Sequence, residues 1–417
     1  MPTHECVGAC CKRHPRQCTE PASSGVEQRS DATSTPPQQA EIATASNLRL
    51  STEVDPAWRP LLNARRARAR AGLIYVHLGA AWPPWTPFIA RAAAANAAGL
   101  DFYFLGPKTS VSPCDNCLHL PLDVDALLGR VAKHLGLPRG SVELDDRGRK
   151  LCDMKPMWAA LFPELTSRHE YIGYADHDIL LGDLASEVTR LQPEIDEMLT
   201  PMAWFPQPLT NGNLLLVRTT PKMIFTFTRS PDWQAALRQR AIWVFDEHWG
   251  TSGGNMHQVY HTMLLSGELR VRPMSKLLVQ DIVFMPGKRH RGLYPTISSF
   301  GAKASFTWRR GTLMAKRDGP CVCSAQVWDF DLGGCAQCLT QPGRVHSAIH
   351  VKRNLEVLGF HFQVYKMHWK QRSRSPATLP EFVPAGCLTS QRNGSFEVDL
   401  QAGFRCGPSK GYGPRDL

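Results

Sequence analysis

Apolar and polar positions change rhythm several times along this chain, and each change marks an element. Residues 1–50 carry Ser, Thr, Pro, Gln and Ala with no apolar period. Such a pattern predicts a disordered tail. Residues 63–70 (NARRARAR) read as a solvated linker. The first apolar run, Leu73-Ile74-Tyr75-Val76-His77-Leu78, stops at Gly79. It predicts that order begins at Leu73, with a buried strand followed by a loop. An Ala-rich helix is expected over 86–98 and a second strand over Asp101 to Leu105, closed by Gly106-Pro107. Cys117 to Leu122 reads as a short third strand. Asp123 to Leu135 has helical spacing and a stop at Gly136. Lys155 to Leu165 reads as one helix, with Pro156 tolerable in its first turn. Tyr171 to Ala175 is a strand running straight into Asp176-His177-Asp178.

Strands alternating with helices predict an α/β fold with a mostly parallel sheet and helices on both faces. In such sheets ligands sit beyond the carboxyl ends of the strands, and Asp176 is expected there. Beyond residue 200 the rhythm is less regular. Strands are expected at 213–217, 279–284, 305–308 and 361–365, and helices at 221–229, 232–240 and 255–265. No internal repeat is found.

Composition narrows the class. The chain has 417 residues, 43% of them apolar and 20% charged, as in a globular protein. It contains no apolar run of membrane-spanning length and no visible signal peptide. The expectation is therefore no integral membrane span, with cytoplasm and Golgi lumen both left open. The net charge is +11, and the excess lies in residues 288–417. Basic surface attracts anions, but no spacing of a nucleic-acid-binding motif accompanies it, so no nucleic-acid partner is expected. The chain has 13 cysteines. Cys114 and Cys117 form a C-x-x-C pair. Cys321 and Cys323 precede Cys335 and Cys338. That second group could form two disulfides, hold a structural zinc or stay as free thiols, and the count does not decide the redox compartment.

The chemistry concentrates in Tyr174-Ala175-Asp176-His177-Asp178-Ile179-Leu180-Leu181-Gly182-Asp183. Two carboxylates one residue apart at a strand end suit Mg²⁺ or Mn²⁺, whose remaining positions diphosphate oxygens and water can fill. The competing reading is a capped turn. A dehalogenase-type phosphatase needs Thr or Val two residues past the second Asp. Leu180 stands there, against that class.

Taken in order, several segments resemble a group of GT-A-type glycosyltransferases of bacteria and algae. Gly79 with Trp82-Pro83-Pro84-Trp85 resembles its G-x-x-P-x-W, and Cys152-Asp153-Met154-Lys155-Pro156-Met157-Trp158 its C-D-x-K-P-x-[YW]. Tyr171 to Asp178 with Gly182-Asp183 resembles W-G-Y-x-D-x-D…G-D. Residues 212–220 are similar to G-H-[FL]-x-L-[YF]-R-N-T, with Asn213 and Thr219 departing from it. Phe245-Asp246-Glu247 matches F-D-E, and His361-Phe362-Gln363 resembles a late H-[FL]-Q. The resemblance spans roughly 72–370. It implies a GT-A-like glycosyltransferase domain there, with a mixed, mostly parallel sheet flanked by helices, after a tail and linker (1–71) and before a basic extension (371–417).

The resemblance also implies roles. Asp176 and Asp178 would hold Mn²⁺ or Mg²⁺, with His361 as a third ligand. Lys155, Asp176 and Gly79 would contact a nucleotide-sugar donor. Asp246 and Glu247 would deprotonate a carbohydrate or glycoconjugate acceptor. Asp153 and Asp183 are expected to organise loops. Two alternatives stand beside this reading. One is an inactive sugar- or nucleotide-binding module, motivated by Asn213 and Thr219. The other is an interaction protein using the basic last third.

Overall fold

The computed structural model describes residues 53–64, 69–83, 85–107, 114–144, 148, 150–201, 212–243, 245–246, 254–276, 278–280, 303–309, 311–318, 354–361, 395–399 and 403–406. All of these lie in the unit Ala43–Leu417.

Order starts earlier than the apolar pattern predicts. The short helix α1 (Arg59–Asn63) follows Trp58, which is 1% exposed. The Trp58 indole stacks on Phe162, lies 4.0 Å beneath the Arg130 guanidinium and donates its N–H to Pro121 O at 2.9 Å. Isolated apolar residues in a polar stretch carry no period, so sequence rhythm misses such an anchor. Trp58→Ala is expected to destabilise the protein by about 3–5 kcal/mol, the usual result of emptying a buried Trp site. Urea unfolding at equilibrium reads this directly. An unchanged midpoint would show that the segment adds nothing to the core.

The central strands follow from continuous apolar runs. β1 (Ala71–Val76) and β2 (Leu100–Gly106) are buried along their whole length, as strands covered on both faces must be. Successive side chains alternate between faces. Leu73, Tyr75, Phe102 and Phe104 pack with α2 (Thr86–Ala95) on one face. Ile74, Val76, Tyr103 and Leu105 pack on the other with β3 (Cys117–Pro121) and α3 (Val124–Leu135). Asp123 caps α3 by accepting from Ala126 N–H at 2.8 Å, and Gly136 ends it with φ 66°, where the sequence places the stop.

The helix expected over 155–165 is broken. It is replaced by α4 (Leu151–Met154), a 3₁₀ turn (Lys155–Met157), α5 (Trp158–Leu161) and α6 (Pro163–Thr166). Pro163 has no N–H to continue the ladder, and Phe162 turns out of helical geometry at φ −124°, ψ 59°. The break leaves Lys155 on a tight turn instead of a helix flank.

β4 (Tyr171–Ala175) runs parallel to β1. It is followed by β5 (Ile179–Leu181), α7 (Leu184–Thr189), β6 (Met198–Thr200) and β7 (Leu214–Arg218). Gly173 lies where β4 meets β7, and a Cβ there would sit 1.9 Å from Leu215 O. Then come α8 (Pro221–Ile224), α9 (Trp233–Arg238), α10 (Met256–Leu265), β8 (Val271–Pro273), β9 (Leu278–Gln280), β10 (Lys303–Arg309), β11 (Thr312–Asp318), β12 (Asn354–Val357), β13 (Gly359–His361), β14 (Ser395–Asp399) and β15 (Gly403–Cys406).

The main sheet has seven strands in the order β3-β2-β1-β4-β7-β6-β8. Its pairs are parallel except β4–β7 and β6–β7. This is the mixed, mostly parallel sheet with flanking helices that the resemblance implies. A five-stranded antiparallel sheet, β12-β11-β10-β14-β15, and a three-stranded one, β5-β13-β9, accompany it. Trp308 on β10 donates to Leu181 O at 3.0 Å and joins the core against α2. Residues beyond 370, read from sequence as an extension, supply β14 and β15 to the five-stranded sheet. Cys114 and Cys117 are joined by a disulfide. Cys321, Cys323, Cys335 and Cys338 lie outside the described residues. Among the described residues no helix is long and apolar enough to cross a membrane.

Candidate functional site

The Asp176-His177-Asp178 turn leaves the carboxyl end of β4, beside the carboxyl end of its parallel neighbour β1. Backbone bonds shape it: Asp176 N–H donates to Asn213 O at 2.8 Å, and Ile179 N–H to Asp176 O at 3.2 Å. Asn213, one of the two departures from the motif, therefore meets the turn through its carbonyl, which any residue supplies. Thr219, the other departure, lies at the far end of β7. Its hydroxyl donates to His169 O at 2.7 Å, ahead of β4 and away from the Asp pair.

Trp85 fixes the middle of the turn. Its indole N–H donates to His177 O at 2.6 Å, and its ring stacks on the His177 imidazole at 5.9 Å, inclined by 9°. Trp85 is 2% exposed, so it packs the turn and has no free face for a sugar. His77 closes the neighbouring loop after β1 through a 2.9 Å contact from Nε2 to Ala81 O. Gly79 is exposed, and a Cβ there would press 2.4 Å from His77 Nε2. Its smallness thus serves the loop around His77. The half-buried rings of His77, Trp82 and His177 border the turn, with centroids 5.6 Å (His77–Trp82) and 5.7 Å (His77–His177) apart.

Lys155 connects the motifs. Its ammonium lies 2.5 Å from Asp176 Oδ1 and 2.9 Å from Asp246 Oδ2, and it donates to Gly212 O at 2.7 Å. Burial alone pushes its pKa down, but the Asp176 and Asp246 carboxylates override this and hold it well above the usual lysine value. Lys155 is thus a buried cation between two carboxylates, where sequence reading expects a donor contact. Asp246 is 1% exposed. It is held in a buried ion pair with Lys155. Burial, with the Asp176 charge adding to it, raises the Tyr75 phenol, and burial raises Tyr174, so both stay neutral hydroxyls around this network.

Asp153 holds the segment that delivers Asp246. Its carboxylate accepts from Trp243 N–H and Phe245 N–H, both at 2.8 Å, and from Lys150 Nζ at 2.9 Å. Asp183 caps α7 by accepting from Ser186 N–H at 3.0 Å and faces Lys276 at 3.3 Å. Both carboxylates organise loops. Asp153→Asn keeps the shape but turns one acceptor into a donor facing an N–H. Loss of a buried charge-assisted bond typically costs about 1.5–3 kcal/mol, so Asp153→Asn is expected to loosen the 243–246 segment. Faster amide exchange at Phe245 reads this, and unchanged protection there would contradict it.

The structure brings Lys155, Asp176 and Asp246 into contact, with Asp178, 2% exposed, on the same turn as Asp176. His361 enters through its backbone. On β13 it is the register partner of Ile179, the residue after Asp178. Glu247 lies outside the described residues. Among the described residues no group of three or more His, Cys, Asp and Glu forms a metal cluster. The K-P pair gives sequence notice of Lys155, but its partners stand 21 and 91 positions away, and spacing cannot reveal them.

Residues 73–323 match the model of a family described as "Family of unknown function (DUF6625)". No curated protein matches the sequence. Similar solved structures include the galactosyltransferase LgtC in complex with donor and acceptor sugar analogs. It is 11% identical, covers 50% of this chain and 75% of that one, and has a TM-score of 0.29. Another is mouse xyloside xylosyltransferase 1, at 12% identity, 54% and 90% coverage and a TM-score of 0.31. A third is the glycosyltransferase GlyE of Streptococcus pneumoniae TIGR4, at 9% identity, 49% and 45% coverage and a TM-score of 0.28.

Proposed function

The chain belongs to DUF6625, a family of unknown function, and from its own site we propose that it is a metal-dependent glycosyltransferase of the GT-A type. It would move a sugar from a nucleotide-sugar donor to a carbohydrate or glycoconjugate acceptor. One observation carries the reading: an Asp-His-Asp turn fixed at the carboxyl end of β4, clamped by Trp85 and wired through Lys155 to the Phe245-Asp246 segment. Strand ends of this kind are where α/β sheets bind ligands.

The donor set fits a hard divalent cation by its chemistry. Carboxylate oxygens are its preferred ligands, and Asp178 is 2% exposed, where water screens an ionic bond little. Asp176 and Asp178 would hold Mn²⁺ or Mg²⁺, with His361 as the third candidate ligand. Bound there, the ion supplies Lewis-acid neutralisation of a departing diphosphate.

The chain's own residues do the remaining work. Lys155 pairs with Asp176 at 2.5 Å and aims its carboxylate. Asp246 keeps Lys155 in place and is a positioning residue. Glu247, next to it, is the candidate base for an acceptor hydroxyl. His77 and Trp82 offer ring faces to a nucleoside, and Gly79 leaves the loop around His77 open.

The test is a screen of nucleoside-diphosphate sugars, with Mn²⁺ and with EDTA, for release of nucleoside diphosphate. The expected result is release from at least one donor in Mn²⁺ and none in EDTA. Binding of a donor with no turnover on any acceptor would favour the inactive module. Neither binding nor release with any donor would remove the reading altogether.

A further inference from the structure

A second cluster of ligating side chains lies on α10, outside the Asp turn. His257 and His261 are four residues apart on this helix. That spacing stacks side chains on one face and is the spacing by which helical histidine pairs chelate zinc. Their rings are nearly parallel, inclined by 13°, with centroids 6.1 Å apart. Both residues are half-buried.

The helix beneath the pair is fixed. Asn255 caps it by accepting from Gln258 N–H at 3.1 Å, and Met256, Val259, Tyr260 and Met263 bury its other side. Little backbone entropy remains to be lost when an ion bridges the rings. Burial, with the His261 imidazole adding to it, pushes the His257 ring down to about 4.

We propose that His257 and His261 form a chelating site for a borderline divalent cation of the Zn²⁺ or Ni²⁺ class. Imidazole nitrogen suits these ions, whereas the carboxylate turn suits harder ones. Among the described residues no third His, Cys, Asp or Glu joins the pair. The site has a structural consequence. Met256 N–H donates to Phe245 O at 3.0 Å, so an ion on α10 braces the segment that carries Asp246.

The experiment is calorimetric titration of the full chain with Ni²⁺ alone, comparing parent, His257→Ala, His261→Ala and the double variant. The cysteines give a background common to all four proteins, so the difference is what counts. Each single variant should lose one Ni²⁺ equivalent or weaken it at least tenfold, and the double variant should lose no more. Asp178→Asn should keep that equivalent, which separates this site from the proposed donor site. Melting in EDTA should match the parent, since Ala favours helix. Should His257→Ala not fold, His257→Gln and His261→Ala decide the matter. Identical stoichiometry and affinity in parent and variants would overturn the proposal, as would a parent that binds no Ni²⁺.

Discussion

Asp178→Asn is expected to lower Mn²⁺-dependent release of nucleoside diphosphate by about 10²–10³-fold, the usual consequence of removing one well-placed electrostatic stabiliser. The substitution keeps shape and hydrogen-bonding capacity and removes only charge. Asp178 is 2% exposed on a turn that Trp85 and the Asn213 carbonyl hold rigid. The variant should therefore fold as the parent does. Its loss should appear in turnover, together with a higher Mn²⁺ requirement. Steady-state rates across a Mn²⁺ series measure both. Parent rates at every Mn²⁺ concentration would contradict the assignment of Asp178.

Lys155→Met is expected to destabilise the protein as strongly as Trp58→Ala. It removes the cation between Asp176 and Asp246 and leaves the buried Asp246 carboxylate without it. Breaking a buried pair from one side costs about 3–5 kcal/mol. Replacing Asp246 as well, in Lys155→Met/Asp246→Asn, should cost less than the sum of the two single changes, because they share one network.

The pH dependence of this contribution follows from the raised pKa of Lys155. A lysine raised on folding stabilises fully below its unfolded value of about 10.4. That contribution fades as pH climbs from there through the higher folded value. The stability gap between parent and Lys155→Met should therefore not change with lysine titration around neutrality and should narrow only above about pH 10.4. Urea unfolding at neutral and strongly alkaline pH tests both the size and the sign. A Lys155→Met midpoint equal to the parent's would show that the pairing contributes nothing.

Much of the first half of the fold is legible in the sequence because its physics is local. β1 and β2 are unbroken apolar runs ended by glycine. α3 carries its own cap and stop in Asp123 and Gly136. β4 runs visibly into the Asp pair. The features that sequence rhythm misses have partners far away. Trp58 is one apolar residue in a polar stretch, and its worth comes from Phe162, Arg130 and Pro121. Ile179 to Leu181 looks like an apolar turn and becomes β5 only because β13 arrives 180 positions later to pair with it. Pro163 is a local signal, and it alone is enough to divide a helix over 155–165.

The candidate site divides along the same line. The carboxylate turn is visible because two Asp at a strand end are a local pattern. The job of Lys155 is not visible, since a motif lysine looks the same whether it faces a ligand or two carboxylates. Trp85 shows in sequence only as part of a motif, and its job, clamping His177 from 92 positions away, does not. The change at Thr219 looks like damage to a site, yet the residue sits at the opposite end of the sheet from Asp176.

The central claim is that the Asp turn binds a nucleoside diphosphate through a divalent cation. Thermal unfolding of the full chain with uridine and guanosine diphosphates, with and without Mn²⁺, tests it most directly. A ligand that binds only the folded state raises the melting temperature in proportion to ln(1 + [L]/Kd). The account predicts a rise for at least one nucleotide when Mn²⁺ is present, no rise from that nucleotide in EDTA, and no rise in Asp178→Asn under either condition. An equal rise in EDTA, or one that survives in Asp178→Asn, would contradict it.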